Sequence, residues 1–305
     1  MSYHDVEPRF IFFWFLGTIY RYFIQFPCRV ILMTISVMFL TVGVFALNIT
    51  PKRFRNLFAN KFNVVFCRIS NGSMGVFANF HDTVNIPSHG VVVANHTSPI
   101  DVLILGSKNF YRFIGQIQPG FFAYLQRQLS NMGHIFFERR EIADRHTVAA
   151  CIKKHATDPS LPPVIIFPEG TCINNTSVMQ FRKGTFEVCD IVHPVAIKYN
   201  PMFGDAFWDS SKMSYLRYII SMASSWFVYC DVWFLPPVAR LPNEDAVSFA
   251  RRVQKVIAEK AKMVNLHWDG NLKRTYVPSY LKQNKREEYA KSILLDYPDI
   301  KLTLD

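Results

Sequence analysis

The sequence predicts an α/β domain with a mainly parallel sheet flanked by helices, preceded by an N-terminal membrane-embedded helical hairpin. Short β-rich runs alternate with helical stretches over residues 71–270, which is typical of a parallel sheet with covering helices. Residues 30–49 form an unbroken run without a charged side chain. As a helix that run would reach about 30 Å, the thickness of a bilayer's hydrocarbon core.

The composition excludes several classes of protein. Half of the 305 residues are hydrophobic, and 34 Lys and Arg against 23 Asp and Glu give a net charge of +11. This is neither a disordered chain nor a small disulfide scaffold. The basic excess comes without a nucleic-acid recognition motif, so we expect phosphate-bearing small molecules and anionic lipids as partners, and no nucleic acid.

The six cysteines are widely scattered and form no Cys-x-x-Cys pair. That spacing predicts reduced thiols that face the cytosol or lie in the membrane. It also predicts no bound metal.

The hairpin is predicted over residues 1–53. Residues 10–28 are a second apolar stretch, broken only by Arg21, and Pro27 and Arg29 separate it from the uncharged run. A lone arginine at mid-depth is costly, so the first helix is expected to lie shallow in one leaflet.

Three cations, Lys52, Arg53 and Arg55, follow the uncharged run 30–49 and place the rest of the chain in the cytosol by the positive-inside tendency. Residues 54–70 then repeat apolar side chains every three or four positions, which predicts a basic amphipathic helix. We expect that helix at the membrane interface. The alternative is a helix packed on the core of the next domain.

Within residues 71–270 the β-rich runs are separated by helical patterns. The predicted strands are 90–94, 134–137, 164–167, 192–199 and 227–234. The predicted helices include 100–105, 141–155 and 244–263. Residues 271–305 are polar and rich in lysine, which indicates a peripheral helix or tail.

Chemistry-bearing residues follow the first predicted strand, in the run Asn95-His96-Thr97-Ser98-Pro99-Ile100-Asp101. Ser98 suits a helix N-cap, and Ser98 with Asp101 forms a capping box. The same turn brings Asp101 to one imidazole nitrogen of His96, leaving the other free to take a proton from an alcohol. Taken alone, this spacing is more typical of a helix cap than of a catalytic pair.

Two further strands end in residues of complementary chemistry. Arg139 follows the run 134–137, where a guanidinium can bind a phosphate, whereas Arg140 is assigned to the solvated rim. Glu169 follows the run 164–167 in the turn Pro168-Glu169-Gly170-Thr171. Because carboxyl ends of parallel strands share one edge, we expect Glu169, Arg139 and His96 to lie close together. A hydrolase would need a Gly-x-Ser-x-Gly elbow, and the sequence contains none.

Taken in order, the segments 95–101, 137–139, 167–171 and 194–195 resemble the four motif blocks of the glycerolipid acyltransferases. Within that superfamily the stretches 167–179 and 194–208 resemble the endoplasmic-reticulum glycerol-3-phosphate acyltransferases. The resemblance covers about residues 10–295. It implies acyl transfer from acyl-CoA to the sn-1 hydroxyl of glycerol 3-phosphate, giving lysophosphatidic acid, the first step of glycerolipid synthesis. It also implies an endoplasmic-reticulum membrane protein whose catalytic domain faces the cytosol.

The resemblance also implies residue roles. His96 would be the base and Asp101 its orienting acid. Arg139 would contact the acceptor phosphate, with Lys183 as a weaker candidate. Glu169, Gly170 and Thr171 would form the acceptor-binding turn. No cofactor is implied, since acyl-CoA is a co-substrate. Independently of the resemblance, the helix start near Ser98 is the expected oxyanion site, because its amides and dipole favour negative charge.

Two alternatives remain open from the sequence. A lysophospholipid, 1-acylglycerol 3-phosphate, could be the acceptor for the same machinery. Cys172 favours glycerol 3-phosphate, because many lysophosphatidate acyltransferases carry an arginine at that place. A catalytically silent protein that binds CoA or lipid is the other alternative.

Overall fold

The computed structural model describes residues 8–117, 120–130, 133–137, 142–270 and 278–296. Helices and strands alternate over most of the chain. The helices are α1 (Pro8–Tyr20), α2 (Phe26–Ile49), α3 (Lys52–Ser73), α4 (Asp101–Gly106), α5 (Phe121–Ser130), α6 (Ile142–Thr157), α7 (Gly184–Val188), α8 (Tyr215–Ser224), α9 (Ala246–Lys260) and α10 (Ser279–Asp296). The strands are β1 (Val76–His81), β2 (Val91–Ala94), β3 (Arg112–Gln116), β4 (Ile135–Phe137), β5 (Val164–Ile166), β6 (Ser177–Val178), β7 (Ile191–Asn200), β8 (Val228–Phe234), β9 (Val238–Ala239) and β10 (Val264–Asn265).

The main sheet has the strand order β1-β8-β7-β2-β5-β3-β4, and β9 pairs with β7. Neighbouring strands run parallel except where β7 meets β8 and β9. The predicted mainly parallel α/β fold is therefore confirmed. The carboxyl ends of β2, β5 and β7 share one edge with the amino ends of β8 and β1, and we call this the carboxyl edge.

The central strands form because they are continuously apolar. All four residues of β2 are buried, which is typical of a parallel strand covered on both faces. One face packs on α4 and α8, with Ile104 and Met222 in the core, and the other packs on α9, with Phe249. The sheet is thus a rigid frame for loops at the carboxyl edge.

The N-terminal segment departs from the prediction. Instead of turning at Pro27, α1 continues into α2 through a π-helical turn at Arg21–Gln25. Proline lacks an amide hydrogen, and the preceding π turn accommodates the interrupted hydrogen-bond ladder within one continuous helix. The 39-residue apolar helix Ile11–Ile49 is long and apolar enough to cross a membrane.

A helical hairpin does exist, but it consists of α2 and α3, which turn at Thr50–Pro51. Ser36 shares a hydrogen bond of 2.7 Å with Ser70, and the rings of Phe39 and Phe62 stack at 4.6 Å. The predicted amphipathic helix 54–70 is the body of α3. It packs against α2 and α4, as the alternative expected, while Phe54 and Phe58 are exposed.

The five predicted strands are present with small shifts at their ends. Three strands of the main sheet were missed by the apolar pattern: β1, β3 and the two-residue β9. β1 is an edge strand that includes an exposed asparagine, and β3 contains Arg112 and Gly115 among its apolar residues. Residues 278–296 of the polar C-terminal region include α10, in agreement with the predicted peripheral helix.

Candidate active site

The loop between β2 and α4 brings His96 to Asp101. The Nδ1 atom of His96 lies 2.9 Å from Oδ2 of Asp101, and the Asp101 carboxylate is fully buried. The backbone amides of Thr97 and Ser98 donate to the same oxygen at 2.9 and 3.0 Å. The sequence predicted a capping box formed by Ser98 and Asp101. The half of it in which the Asp101 carboxylate accepts from the amide of Ser98 is present.

The other carboxylate oxygen of Asp101 accepts a hydrogen bond from the hydroxyl of Tyr199, which is buried on β7. Burial raises the pKa of Tyr199 far above its usual range, so the phenol remains a neutral donor. Asn175 holds the backbone of Tyr199, accepting from its amide at 2.9 Å. Sequence reasoning missed Tyr199, although it lies in the strand of the fourth motif block.

The imidazole of His96 is enclosed but not sealed, with 17% of its side chain exposed. Its ring stacks on Phe167 at 4.2 Å, and its Nε2 atom lies 3.4 Å from Sγ of Cys172. Burial lowers the pKa of His96, but Cys172 and Asp101 outweigh burial and raise the pKa to about 10. Because Cys172 lies in the loop that follows β5, the Nε2 atom of His96 faces that loop.

Glu169 lies at the same edge, as expected, but it serves the backbone. One carboxylate oxygen accepts from the amide of His96 at 2.6 Å, and the other accepts from the amide of Met179 at 2.7 Å. Burial raises the pKa of Glu169 to about 8, and the two amide hydrogen bonds oppose that rise. With 1% of Glu169 exposed, the side chain braces the two loops of the site.

The turn after Glu169 requires glycine. Gly170 has φ of +67°, and its amide donates to the carbonyl of Phe167 at 3.0 Å. A Cβ built on Gly170 would lie 3.2 Å from Cζ of Arg182, so the guanidinium covers this turn. Thr171 is packed from the other side by Gly270, whose own Cβ would lie 2.8 Å from Cγ2 of Thr171.

Comparison with known proteins shows the family to which the chain belongs. A family model described as Acyltransferase matches residues 78–198. The chain is 42% identical to glycerol-3-phosphate acyltransferase 3 of Xenopus laevis, covering 99% of this chain and 68% of that protein. It is also 42% identical to glycerol-3-phosphate acyltransferase 4 of Homo sapiens, covering 98% of this chain and 66% of that protein. The chain belongs to the glycerol-3-phosphate acyltransferase 3/4 family.

The chain thus spans about two thirds of the length of these relatives. Among solved structures, a 1-acyl-sn-glycerophosphate acyltransferase from Thermotoga maritima shares the fold, with a TM-score of 0.54. The match covers 81% of this chain and 95% of that one at 16% sequence identity. The two proteins therefore share the α/β fold.

Of the two cations predicted from the sequence, Arg139 and Lys183, the structure describes only Lys183. Arg139, with its neighbours Glu138 and Arg140, lies outside the described residues. Lys183 is exposed, and its Nζ atom lies 2.9 Å from Glu187 one turn ahead in α7. Arg182, the neighbour of Lys183 in the chain, is the cation over Gly170.

The expected oxyanion site of this acyltransferase, at the helix start near Ser98, is wrong. The amides of His96, Thr97 and Ser98 all donate to buried carboxylates. The hydroxyl of Ser98 contacts the hydroxyl of Tyr218 and accepts from the amide of Ile100 at 3.4 Å, while the amide of Asp101 donates to the carbonyl of Ser98. Because these amides stabilise Glu169 and Asp101, they are not available to an oxyanion.

Proposed function

We propose that this protein transfers an acyl group from acyl-CoA to the sn-1 hydroxyl of glycerol 3-phosphate, producing lysophosphatidic acid. The observation that carries the proposal is the buried Asp101, which three donors, two backbone amides and the hydroxyl of Tyr199, hold against Nδ1 of His96. A fixed carboxylate selects the tautomer in which Nε2 carries the lone pair. The similarity to enzymes named for this acceptor supports the substrate.

In the proposed reaction the acyl group passes directly from the thioester to the acceptor hydroxyl, with His96 as general base. His96 Nε2 removes the proton of the acceptor hydroxyl as its oxygen attacks the thioester carbonyl carbon. The tetrahedral intermediate then collapses, the carbon–sulfur bond breaks, and the imidazolium returns the proton to the sulfur of CoA. Asp101 stabilises the imidazolium that exists between these steps. Because a thioester is already activated, these residues suffice without a cofactor.

Cys172 marks the direction from which the hydroxyl approaches. Its sulfur occupies the position 3.4 Å from Nε2 that the acceptor oxygen would take, so the thiol must give way when the acceptor binds. Phe167 holds the imidazole plane by stacking while this exchange occurs. The pocket is therefore lined by a small, soft side chain at the point of proton transfer.

The acceptor phosphate would be bound by cations of the carboxyl edge. Arg182, lying over the Gly170 turn, supports a phosphate-bearing acceptor, since a guanidinium can bind phosphate with two hydrogen bonds. Arg139 remains a proposed contact from its motif block, and Lys183 a weaker one. Gly170 and Thr171 would shape the turn, with Glu169 as its brace.

The proposed location is the endoplasmic-reticulum membrane, with the catalytic domain in the cytosol. The long apolar helix supports association with a membrane. The six cysteines, all within the described residues, are present as thiols, which is consistent with a reducing compartment.

An acceptor assay tests the proposal. Purified full-length protein receives labelled acyl-CoA with either glycerol 3-phosphate or 1-acylglycerol 3-phosphate. We expect labelled lysophosphatidic acid from glycerol 3-phosphate. Transfer to the lysophospholipid alone would establish the rival acceptor, and no transfer to either would favour a silent binding protein. An Arg182→Gln variant should raise the KM for glycerol 3-phosphate, and an unchanged KM would remove Arg182 from the acceptor site.

A further inference from the structure

A strip of exposed apolar side chains, which we call the aromatic strip, runs along the surface of the catalytic domain. Its exposed members are Phe77, Met202, Phe203 and Trp226, and the half-buried Phe227 lies between Phe77 and Phe203. The ring of Phe227 stacks on Phe203 at 4.2 Å and meets Phe77 edge-on at 5.9 Å. Phe77 is 60% exposed and Met202 73% exposed, so the strip is open to its surroundings. A contiguous exposed apolar patch of this kind marks an interaction surface.

The strip lies at the carboxyl edge, the same edge as His96. Met202 and Phe203 follow the last residue of β7, and Phe227 immediately precedes the first residue of β8. Phe77 belongs to the amino end of β1, which pairs in parallel with β8. The strand order therefore forces these side chains to the end of the sheet where the acceptor loop is found.

The strip is joined directly to the apolar N-terminal helix. Trp226 stacks on Tyr20 of α1 with ring centroids 6.3 Å apart, and a Cβ on Gly17 would lie 3.0 Å from the indole. Gln25 donates to the carbonyl of Ser225 at 3.1 Å, and Arg29 binds carbonyl groups of the same segment. These contacts hold the strip level with the end of α1.

The end of α1 has the character of a membrane interface. Six consecutive apolar residues of α1, from Ile11 to Leu16, are all exposed although they lie on every side of the helix. Tyr20, Arg21 and Tyr22 follow, with the Arg21 guanidinium 4.6 Å from the Tyr22 ring. Although the helix continues into α2, tyrosine, tryptophan and arginine beside an exposed apolar segment are typical of the headgroup level.

We propose that the aromatic strip inserts into the interfacial region of an anionic phospholipid bilayer, and that it turns the carboxyl edge toward the membrane surface. Its continuity with Tyr20 and Trp226 makes the bilayer that surrounds α1 the occupant. The neighbouring helix α8 exposes Leu216 and Ile220 beside the cation Arg217, a combination suited to anionic lipid. This contact goes beyond the proposed function, because it does not depend on which acceptor is acylated.

A fluorescence experiment on the full chain tests the contact. In a Cys28→Ser, Cys151→Ser background, Met202→Cys is labelled with the environment-sensitive dye NBD, and the protein is reconstituted into phosphatidylcholine–phosphatidylserine vesicles. The matched control is Val84→Cys, since Val84 is apolar, 91% exposed and placed beyond the carboxyl end of β1, at the opposite edge of the sheet. We expect blue-shifted emission and strong quenching by headgroup nitroxide lipids at position 202, with neither at position 84.

Equal quenching at the two positions, or none at position 202, would overturn the proposal. Emission at position 202 that responds to added unlabelled protein, but not to nitroxide lipid, would also overturn it and would indicate a second copy of the chain.

A functional arm uses the double variant Met202→Ser, Phe203→Ser beside Val84→Ser. The double variant should lose acyl transfer in vesicles and retain it in detergent micelles, whereas Val84→Ser should match the unchanged protein in both. Equal loss in micelles, or no loss in vesicles, would contradict the docking role. The labelled protein also reports lipid contact without any acyl transfer, so failure of the proposed function is distinguishable from failure of this inference.

Discussion

The described residues contain two histidine–aspartate pairs, and they differ in almost everything except the pairing. His96 Nδ1 lies 2.9 Å from Asp101, and His81 Nε2 lies 2.7 Å from Asp231. Each imidazole also stacks on an aromatic ring, Phe167 for His96 at 4.2 Å and Trp233 for His81 at 5.1 Å. Pair distance and stacking therefore do not distinguish a candidate base from a surface pair.

Burial and backbone donors do distinguish them. The Asp101 carboxylate is fully buried and accepts two amides and a phenol, whereas the side chain of Asp231 is 30% exposed and binds Asn79. His96 lies at the carboxyl edge, and His81 ends β1 at the opposite edge. A carboxylate held in low dielectric by fixed dipoles stabilises an imidazolium far more than a solvated one does.

The largest effect is expected when the histidine of each pair is replaced by alanine. His96→Ala should lower acyl transfer by about 10²- to 10⁴-fold, since a positioned general base contributes that much. His81→Ala, the matched control, should leave transfer unchanged. Incorporation of labelled acyl groups by equal amounts of membrane-bound protein measures both. Similar losses in the two variants would contradict the assignment of the base to His96.

The second-largest effect is expected when the aspartate of each pair is changed. Asp101→Asn keeps an oxygen for the backbone amides but removes the charge that stabilises the imidazolium. A hydrogen bond to a charged group contributes about 1.5 to 3 kcal/mol, so kcat should fall about 10- to 100-fold. Asp231→Asn should have no effect on kcat. Wild-type kcat in Asp101→Asn, with an unchanged thermal unfolding midpoint, would show that orientation alone is sufficient.

A third variant sharpens the electrostatics around His96. Because the pKa of His96 is raised to about 10, the neutral base becomes more abundant as pH rises, and kcat/KM should increase toward that value. Cys172→Ala removes one cause of the rise and should move the midpoint of the pH profile to lower pH. The raised pKa of His96 also stabilises the folded state. This contribution to the free energy of unfolding is complete below pH 6.5 and is lost as the pH rises toward 10.

Cys172 raises the pKa of His96 through a charge interaction and through a side-chain hydrogen bond, and Cys172→Ser separates these two causes. If the charge interaction with the thiol dominates, serine should shift the midpoint as alanine does. If neither variant moves the midpoint, the influence of Cys172 on His96 is refuted.

The smallest expected effect concerns the acceptor turn. A methyl group at Gly270 would lie 2.8 Å from Cγ2 of Thr171 and 3.2 Å from the carbonyl of Glu169. Gly270→Ala should therefore displace the turn and raise the KM for glycerol 3-phosphate, with little change in kcat. Gly72→Ala is the control, because nothing lies within 4 Å of its added methyl group. An equal KM in the two variants would argue against this packing role.

Much of the fold was predictable because it depends on local patterns. Continuous apolar runs such as 164–167 indicated buried strands, and their alternation with helices indicated a parallel sheet. The same patterns could not find β1, whose asparagine and edge position weaken the apolar signal. They also misplaced the hairpin, because a proline inside an apolar helix can be accommodated by a π turn as well as by a break.

The candidate site divides in the same way. The pairing of His96 with Asp101 was predictable, since both lie in one short turn. The hydroxyl of Tyr199 reaches Asp101 across 98 residues of sequence, and the sulfur of Cys172 reaches His96 across 76. No local periodicity indicates such pairs.

By itself the sequence determined the sheet class, the apolar helix and the His96–Asp101 turn, because each follows from neighbouring residues and their spacing. Only the tertiary structure decided that Glu169 braces two loops, that Tyr199 completes the carboxylate's partners, and that the aromatic strip meets α1. Those contacts depend on strand order, and strand order brings together side chains that are distant in the chain.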